Sequence, residues 1–598
     1  MKKSPKNVVH FKEIMHQLPQ VLPKIPRLLR GLKQVYTQKQ ETPMGLGIIF
    51  EKIAKQHPRY NALKFGHQTT TYQHLNQHAN QIAHLLIAYG FKKGDILSLV
   101  MENRPEFFAV ILATAKVGVI CALIDPTKIT KQILLSTEPK GLIVSDQYHQ
   151  QVSALKLKFE HCFWVASLQQ DKQENAPSGY RNLIYSAQEY PTFNPPTTAH
   201  IYAQDGLFYI YTSGTTGQPK AALYTHGRWI LAYNTYGQTL GLVNKDILYV
   251  PLPLHHATAS IVCWSSVLAG QGTFSFNNHF LAQTFWQDAQ DAVAIGYSGD
   301  VCRQLLEQPV QPNKHQIQKM IGYGLRAYYW RTFKHRFNIK EVFELYASNE
   351  SNIGFNNLFN FDNTVGFSPL PFAVVKYDID SQKPIRDKNG YCAKVKKGDV
   401  GLLLSKITSH TPFDGYGKHD INDDAVLHHV FNEHDAYYNT GDLMRRLGYR
   451  HVQFIDRLSD TFHWQNQRIS THEVEDVMCT CPSIKEASIY GVKIPNYEGK
   501  ACMATIILNP ISPIFDCKNI YTEFKKALPV HAIPLFLRIQ LTLPASSAFK
   551  YSKKELQKQG FDIHHCDDLL LIQLPDQDTY HPLNHKIYEH IMQKKPYF

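Results

Sequence analysis

Between residues 42 and about 400, stretches with helical periodicity alternate with short apolar stretches of strand length. Residues 77–90 (QHANQIAHLLIAYG) predict a helix closed by a glycine. Residues 95–100 (DILSLV) predict a buried strand, 106–116 a helix, and 118–124 the next strand. Alternation of this kind restricts the chain to an α/β architecture around a largely parallel sheet. A second block begins near Asp456 and has its own pattern, with a helix at 471–478 and strands at 487–492 and 502–508. It predicts a small C-terminal α+β domain. With 598 residues the chain has room for two or more domains.

Hydrophobic residues make up 43% of the chain and charged residues 19%, which fits a folded protein and excludes global disorder. The formal charge of +13 favours anionic partners: nucleic acid, an anionic membrane surface, or nucleotides and CoA. No nucleic-acid-binding motif accompanies the charge, so nucleic acid is not expected. The ten cysteines are scattered without zinc spacing and read as reduced thiols of a cytoplasmic protein. No apolar run follows Lys2 and Lys3, so no secretory signal is expected. Residues 107–124 are the best candidate for a membrane span, but Lys116 interrupts them, and a buried helix followed by a strand fits better.

The first forty residues form a basic amphipathic arm. Apolar residues from Val8 to Leu32 recur at steps of three and four, with Lys12, Lys24, Arg27, Arg30 and Lys33 between them. Pro19, Pro23 and Pro26 break the pattern. Two readings stand level: a segment lying on the inner, anionic face of a membrane, or a helical arm packed on the protein's own body. A homodimer stays open.

Residues 207–211 (LFYIY) predict a buried strand, and Thr212-Ser213-Gly214-Thr215-Thr216-Gly217-Gln218-Pro219-Lys220 follows it. The glycines permit tight turns that expose backbone N–H groups. Four hydroxyls add donors and Lys220 adds positive charge, a combination suited to a polyphosphate. A solvent-exposed polar turn has similar composition. The P-loop pattern is absent, because Pro219 precedes the lysine and no GK[ST] follows.

The longer stretch YTSGTTGQPKAALYTHGR resembles the phosphate-loop signature of the adenylate-forming (AMP-binding) enzymes. The resemblance runs from about residue 42 to the C-terminus and is strongest to the branch of fatty acid transport proteins and long- and very-long-chain acyl-CoA synthetases. It is carried further by MENRPEFF (101–108), IGYGLR (321–326), FDGY (413–416), YNTGDL (438–443), IDRLSDTFHW (455–464), STHEVE (470–475) and FKYSKKELQKQGFD (549–562). It implies a large adenylate-forming domain at 42–456 and a mobile lid at 457–598, with a hinge near Asp460. It also implies ATP, Mg²⁺ and CoA as cofactor and co-substrates and a fatty acid as substrate.

The resemblance also assigns roles to residues. Thr212, Ser213, Gly214, Thr215, Thr216, Gly217 and Lys220 would cradle phosphates, and Gly322 and Gly324 would form a turn under adenine. Tyr346 would stack on adenine, an aromatic face offering the area. Glu350 would hold Mg²⁺ as a hard oxygen ligand, Asp442 would accept hydrogen bonds from ribose hydroxyls, and Arg457 would contact ribose or phosphate. His256 and Tyr297 would border the acyl pocket, and Lys550 would neutralise charge during adenylation. A lone histidine is more often structural, and Lys550 with Lys553 and Lys554 also reads as a solvated basic stretch.

Four positions depart from the pattern. Ala347 stands where the family has glycine, Asn349 where it has threonine, and Gln465–Asn466 where the branch has Lys-Gly. A side chain at 466 would crowd the expected path of pantetheine. The implied reaction is ATP-dependent conversion of a long-chain fatty acid to acyl-AMP, then to acyl-CoA. The alternatives are an enzyme that stops at acyl-AMP or passes the acyl group elsewhere, and a catalytically impaired fatty-acid-binding or transport protein.

Overall fold

The computed structural model describes residues 8–37, 42–167, 175–213, 219–309, 315–348, 351–408, 411, 413, 425–465, 467–510, 515–542, 545–546, 550–551 and 553–593. Its architecture is α/β, with two large sheets and a separate small C-terminal domain. In spatial order, the seven-stranded sheet contains Arg181–Asn182, His161–Val165, Gly141–Ser145, Ile96–Val100, Ile120–Ile124, Gly206–Ser213 and Pro219–Thr225. Its strands are parallel except the last, which returns antiparallel to Gly206–Ser213.

The longer sheet is parallel through Ile247–Tyr249, Ala294–Ser298, Lys319–Tyr323 and Glu341–Ala347. Beyond Glu341–Ala347 it becomes antiparallel and runs through the long strands His451–Arg457, Ala436–Gly448 and Val400–Lys406 to Phe372–Val375 at its edge. One core joins the two sheets, running from Leu97 and Phe208 through the helices to Phe274 and Phe343. At its centre the Phe108 ring lies 4.7 Å from Trp264 and 5.0 Å from Phe274.

As expected, residues 107–124 are a buried helix, Pro105–Val117, followed by the strand Ile120–Ile124, and the turn between them has Gly118 at φ +85°. Among the described residues, no helix is long and apolar enough to cross a membrane. Lys116 is wholly buried within that helix. Its Nζ donates to Glu51 Oε1 (2.9 Å), Asn76 Oδ1 (2.8 Å) and Asn80 Oδ1 (2.7 Å), so every ammonium proton has a partner.

The prolines of the arm shape it rather than end it. Pro19 lies two residues before the end of the helix Phe11–Val21, Pro23 sits in a 3₁₀ turn, and Pro26 is the second residue of the helix Ile25–Thr37. The arm packs on the body. Lys24 pairs with Glu341 at 2.5 Å, Val9 N donates to Leu447 O, and a Cβ at Gly31 would lie 2.3 Å from Asn234 O.

The C-terminal domain has a five-stranded sheet ordered Ile484–Val492, Ala501–Leu508, Phe536–Gln540, Leu569–Gln573 and Tyr580–Pro582. Its own core runs from Phe462 to Ile591.

Candidate active site

The loop predicted at 212–220 is shorter in the structure. Pairing of Thr212 with Lys220 and Ser213 with Pro219 extends the hairpin strands, so Lys220 is a strand residue opposite Thr212. Backbone pairing decides this, and Pro219 is tolerated at a strand's first position, where its missing N–H matters least. Gly214, Thr215, Thr216 and Gly217 lie outside the described residues.

The second component is the turn after Lys319–Tyr323. A Cβ at Gly322 would lie 2.0 Å from Tyr297 O, so only glycine lets these parallel strands approach as they do. Gly324 is at φ +79°, and its N–H donates to Glu344 Oε1 at 2.6 Å. The same oxygen accepts from Leu325 N at 3.3 Å, and the Tyr297 hydroxyl donates to Oε2. Glu344 therefore ties the turn to the strand carrying Tyr297. Burial pushes its carboxyl up to about 8, against hydrogen bonds from Tyr297, Gly324 and Leu325 that favour the carboxylate. Sequence reasoning gave Glu344 no role, although a carboxylate inside the apolar run EVFELYA was a signal that it had partners.

Tyr297 is wholly buried. His256 stacks on Tyr323 with centroids 5.5 Å apart. Thr258 N donates to His256 Nδ1 at 3.3 Å, which leaves Nε2–H to face the Tyr323 hydroxyl at 3.4 Å. The histidine expected beside the acyl group thus touches the turn expected under adenine.

The third component joins Tyr346 and Asp442 directly. The Tyr346 hydroxyl donates to Asp442 Oδ2 at 2.5 Å, and its ring stacks beside Phe454. Burial, then the Asp442 charge, holds the phenol far above its usual range, so it stays a donor. Thr440 Oγ1 accepts from Asp442 N, and Gly441 turns at φ +70°, which sets the carboxylate at a bulge between strands. Asp442 pairs across the ladder with Arg457. Ala347 is exposed at the end of its strand, opposite Gly354. Asn349 and Glu350 lie outside the described residues, and among those described no acidic, histidine and cysteine cluster has the form of a metal site.

Lys550 pairs with Ser546 in a short hairpin. Lys553 is no solvated neighbour: its Nζ donates to Thr471 Oγ1 at 2.6 Å and pairs with Glu475 at 2.8 Å. Asp460 lies in the turn after His451–Arg457, its N–H bonded to Arg457 O.

A family model described as AMP-binding enzyme matches residues 50–390. The chain is 33% identical over 577 residues to the medium/long-chain-fatty-acid–CoA ligase FadD6 of Mycobacterium tuberculosis, covering 95% of each. It is 32% identical over 606 residues to long-chain fatty acid transport protein 2 of Rattus norvegicus, covering 95% of this chain and 94% of the other. Among solved structures, the anthranilate CoA ligase AuaEII with anthranoyl-AMP has the same fold, with a TM-score of 0.73 at 17% identity over 88% of this chain and 98% of that one.

Proposed function

The chain belongs to the AMP-binding enzyme family, and we propose that it is an AMP-forming ligase that joins a long-chain fatty acid to CoA. The observation that carries this reading is the Tyr346–Asp442 pair beside the Gly322–Gly324 turn, an aromatic face and a carboxylate set together as a nucleoside requires. Identity to a fatty-acid–CoA ligase across 95% of the chain supports the acyl substrate.

In the first half-reaction a carboxylate oxygen of the fatty acid attacks the α-phosphorus of ATP, and the bond to pyrophosphate breaks. Residues 212–220 cradle the phosphates, Lys550 neutralises the charge gathering on the α-phosphate and carboxylate, and Asp442 and Arg457 hold the ribose. Mg²⁺ would be held at Glu350, where it would offset charge on the phosphate oxygens. In the second half-reaction the CoA thiolate attacks the acyl carbon and AMP leaves. His256 and Tyr297 stand on the acyl side, and the stacking of His256 on Tyr323 joins that side to the adenine-side turn. The lid comprises 457–598 and turns about Asp460, a reading supported by its separate core and by the turn at 458–461.

The arm is the membrane-facing element in this reading. It buries Val21 on the body but leaves Phe11 62% and Leu29 60% exposed, with Lys12, Arg27 and Arg30 also outward. Such a surface fits peripheral contact with an anionic membrane face. Sedimentation with phosphatidylglycerol vesicles should capture the protein, and Phe11→Asp with Leu29→Asp should release it. Equal capture of both would remove the arm from membrane binding.

The activity itself is tested by fatty-acid-dependent ATP–pyrophosphate exchange, followed by CoA-dependent thioester formation across chain lengths. Both reactions are expected. Exchange without thioester would favour an enzyme that stops at acyl-AMP, and binding of fatty acid with neither reaction would end the enzymatic reading.

A further inference from the structure

The adenine-side turn leads directly into the contact between the large domain and the lid. Arg326 follows Gly322–Leu325 and precedes the helix Ala327–Arg336 of the large domain. Its guanidinium reaches the lid helix Thr471–Met478, with Nη2 donating to Glu475 Oε2 at 2.6 Å and Nη1 lying 2.6 Å from His472 Nδ1 and 3.5 Å from Asp476 Oδ1. These three lid residues lie on one helical face, as their spacing requires. The other oxygen of Glu475 is shared by Lys553 Nζ at 2.8 Å and Ile489 N at 3.0 Å. Lys553 opens the helix Lys553–Gln559, three residues after Lys550.

Glu475 is 3% exposed, so this carboxylate is stable only while its cationic partners stay in place. Burial alone would raise its pKa, but Lys553 and Arg326 outweigh it and bring it to about 2. Of its two cations, Lys553 belongs to the lid and travels with it. Arg326 belongs to the large domain and is lost to Glu475 if the lid turns. Two further arginines of the large domain meet lid glutamates: Arg303 pairs with Glu486 at 2.8 Å and Arg445 with Glu473 at 3.0 Å. Arg326 differs from them because its carboxylate partner is also bound to the segment that carries Lys550.

We propose that Arg326 is a positioning residue which, through Glu475 and Lys553, holds the lid in the orientation that presents Lys550 to the nucleotide, so that this contact sets the balance between adenylation and thioester formation. The proposal rests on the two-step reading above. Release of the lid for the second step then requires Arg326 to part from Glu475, and the buried carboxylate keeps Lys553 as its counter-charge while it does so. A charge-assisted contact that places the two guanidinium nitrogens on different side chains of one helix holds one geometry and is lost on rotation rather than stretched.

The test is to split the half-reactions in Arg326→Met. Fatty-acid-dependent ATP–pyrophosphate exchange should fall by at least about tenfold, as expected for truncating one member of a desolvated charge pair. Transfer to CoA from supplied acyl-AMP should stay within about twofold, because that step does not use the contact. Arg326→Lys, which keeps the charge but not the fork, should recover part of the exchange. A fall of both half-reactions in equal proportion, unchanged exchange, or loss of transfer alone would each overturn the proposal. Should Arg326→Met fail to fold, Glu475→Gln, which keeps the bond from Ile489 N, is judged by the same outcomes. Absence of exchange in the wild-type protein would instead refute the two-step reading and is separable on that ground.

Discussion

Removing one oxygen from Tyr346 tests whether the nucleoside end of the site is built as described. In Tyr346→Phe the ring keeps its neighbours Phe355 and Phe454, and the bond to Asp442 Oδ2 at 2.5 Å is lost. A hydrogen bond to a charged acceptor contributes about 1.5–3 kcal/mol net. Asp442 is only half-buried, so water can replace the phenol and the lower end applies, about 1.5–2 kcal/mol. That corresponds to a rise of about 10–30-fold in KM for ATP, read from the ATP dependence of pyrophosphate exchange. KM for the fatty acid should move by less than about twofold, because the hydroxyl faces Asp442 and not the His256 side. Asp442→Asn should in addition erase the preference for ATP over 2′-deoxy-ATP. A variant whose fatty-acid KM rises while ATP KM stays unchanged would refute the reasoning, since the pair would then belong to the acyl side.

Three further outcomes are expected. Lys116→Met removes a wholly buried cation and leaves Glu51 without its counter-charge, with only the Thr198 hydroxyl still bonded to it; stability should fall by about 3 kcal/mol in chemical denaturation, and a loss below about 1 kcal/mol would show the cluster to be passive. Burial depresses His451 from 6.5 to about 4, against hydrogen bonding to Tyr449 and Gly448 that raises it, so the stability tied to its neutral ring is present above pH 6.5 and lost as pH falls toward 4. Between pH 7 and pH 5 the stability difference should therefore shift by about 2 kcal/mol in favour of His451→Phe, measured by denaturation at both pH values; no shift would place His451 in contact with water. Lys550→Ala should abolish forward adenylation, and unchanged pyrophosphate exchange would remove Lys550 from the site.

The sequence disclosed the elements wherever one physical signal dominated. The helix at 106–116 and the strand at 118–124 were legible because apolar periodicity and a glycine break coincide, and the structure shifts their ends by only one or two residues. The arm was legible as amphipathic but not as packed, because the contacts that fix it, Lys24 with Glu341 and Gly31 against Asn234, join residues some 200–300 positions apart. Within the site, Tyr346 and Asp442 could be named singly from motifs, whereas their hydrogen bond depends on a bulge at Thr440–Gly441 that no local pattern reveals. Glu344 and Arg326 were missed for the same reason. Arg326 closes a recognised motif and Glu344 lies in the apolar run before Tyr346, and the importance of each comes from partners supplied by the tertiary fold.

The Gln465–Asn466 departure is where the thioester step was most open from sequence, and a single substitution tests it. Strands Phe462–Trp464 and Gln467–Ile469 pair with Trp464 opposite Gln467, which leaves a two-residue connection. Gln465 has φ +50°. Asn466 lies outside the described residues. If the two-step reading holds with this sequence, Asn466→Gly should change transfer from acyl-AMP to CoA by less than about threefold, under about 0.7 kcal/mol, with pyrophosphate exchange unchanged. A rise of tenfold or more in transfer would show that the asparagine blocks the path, and would return the adenylate-only reading to the front.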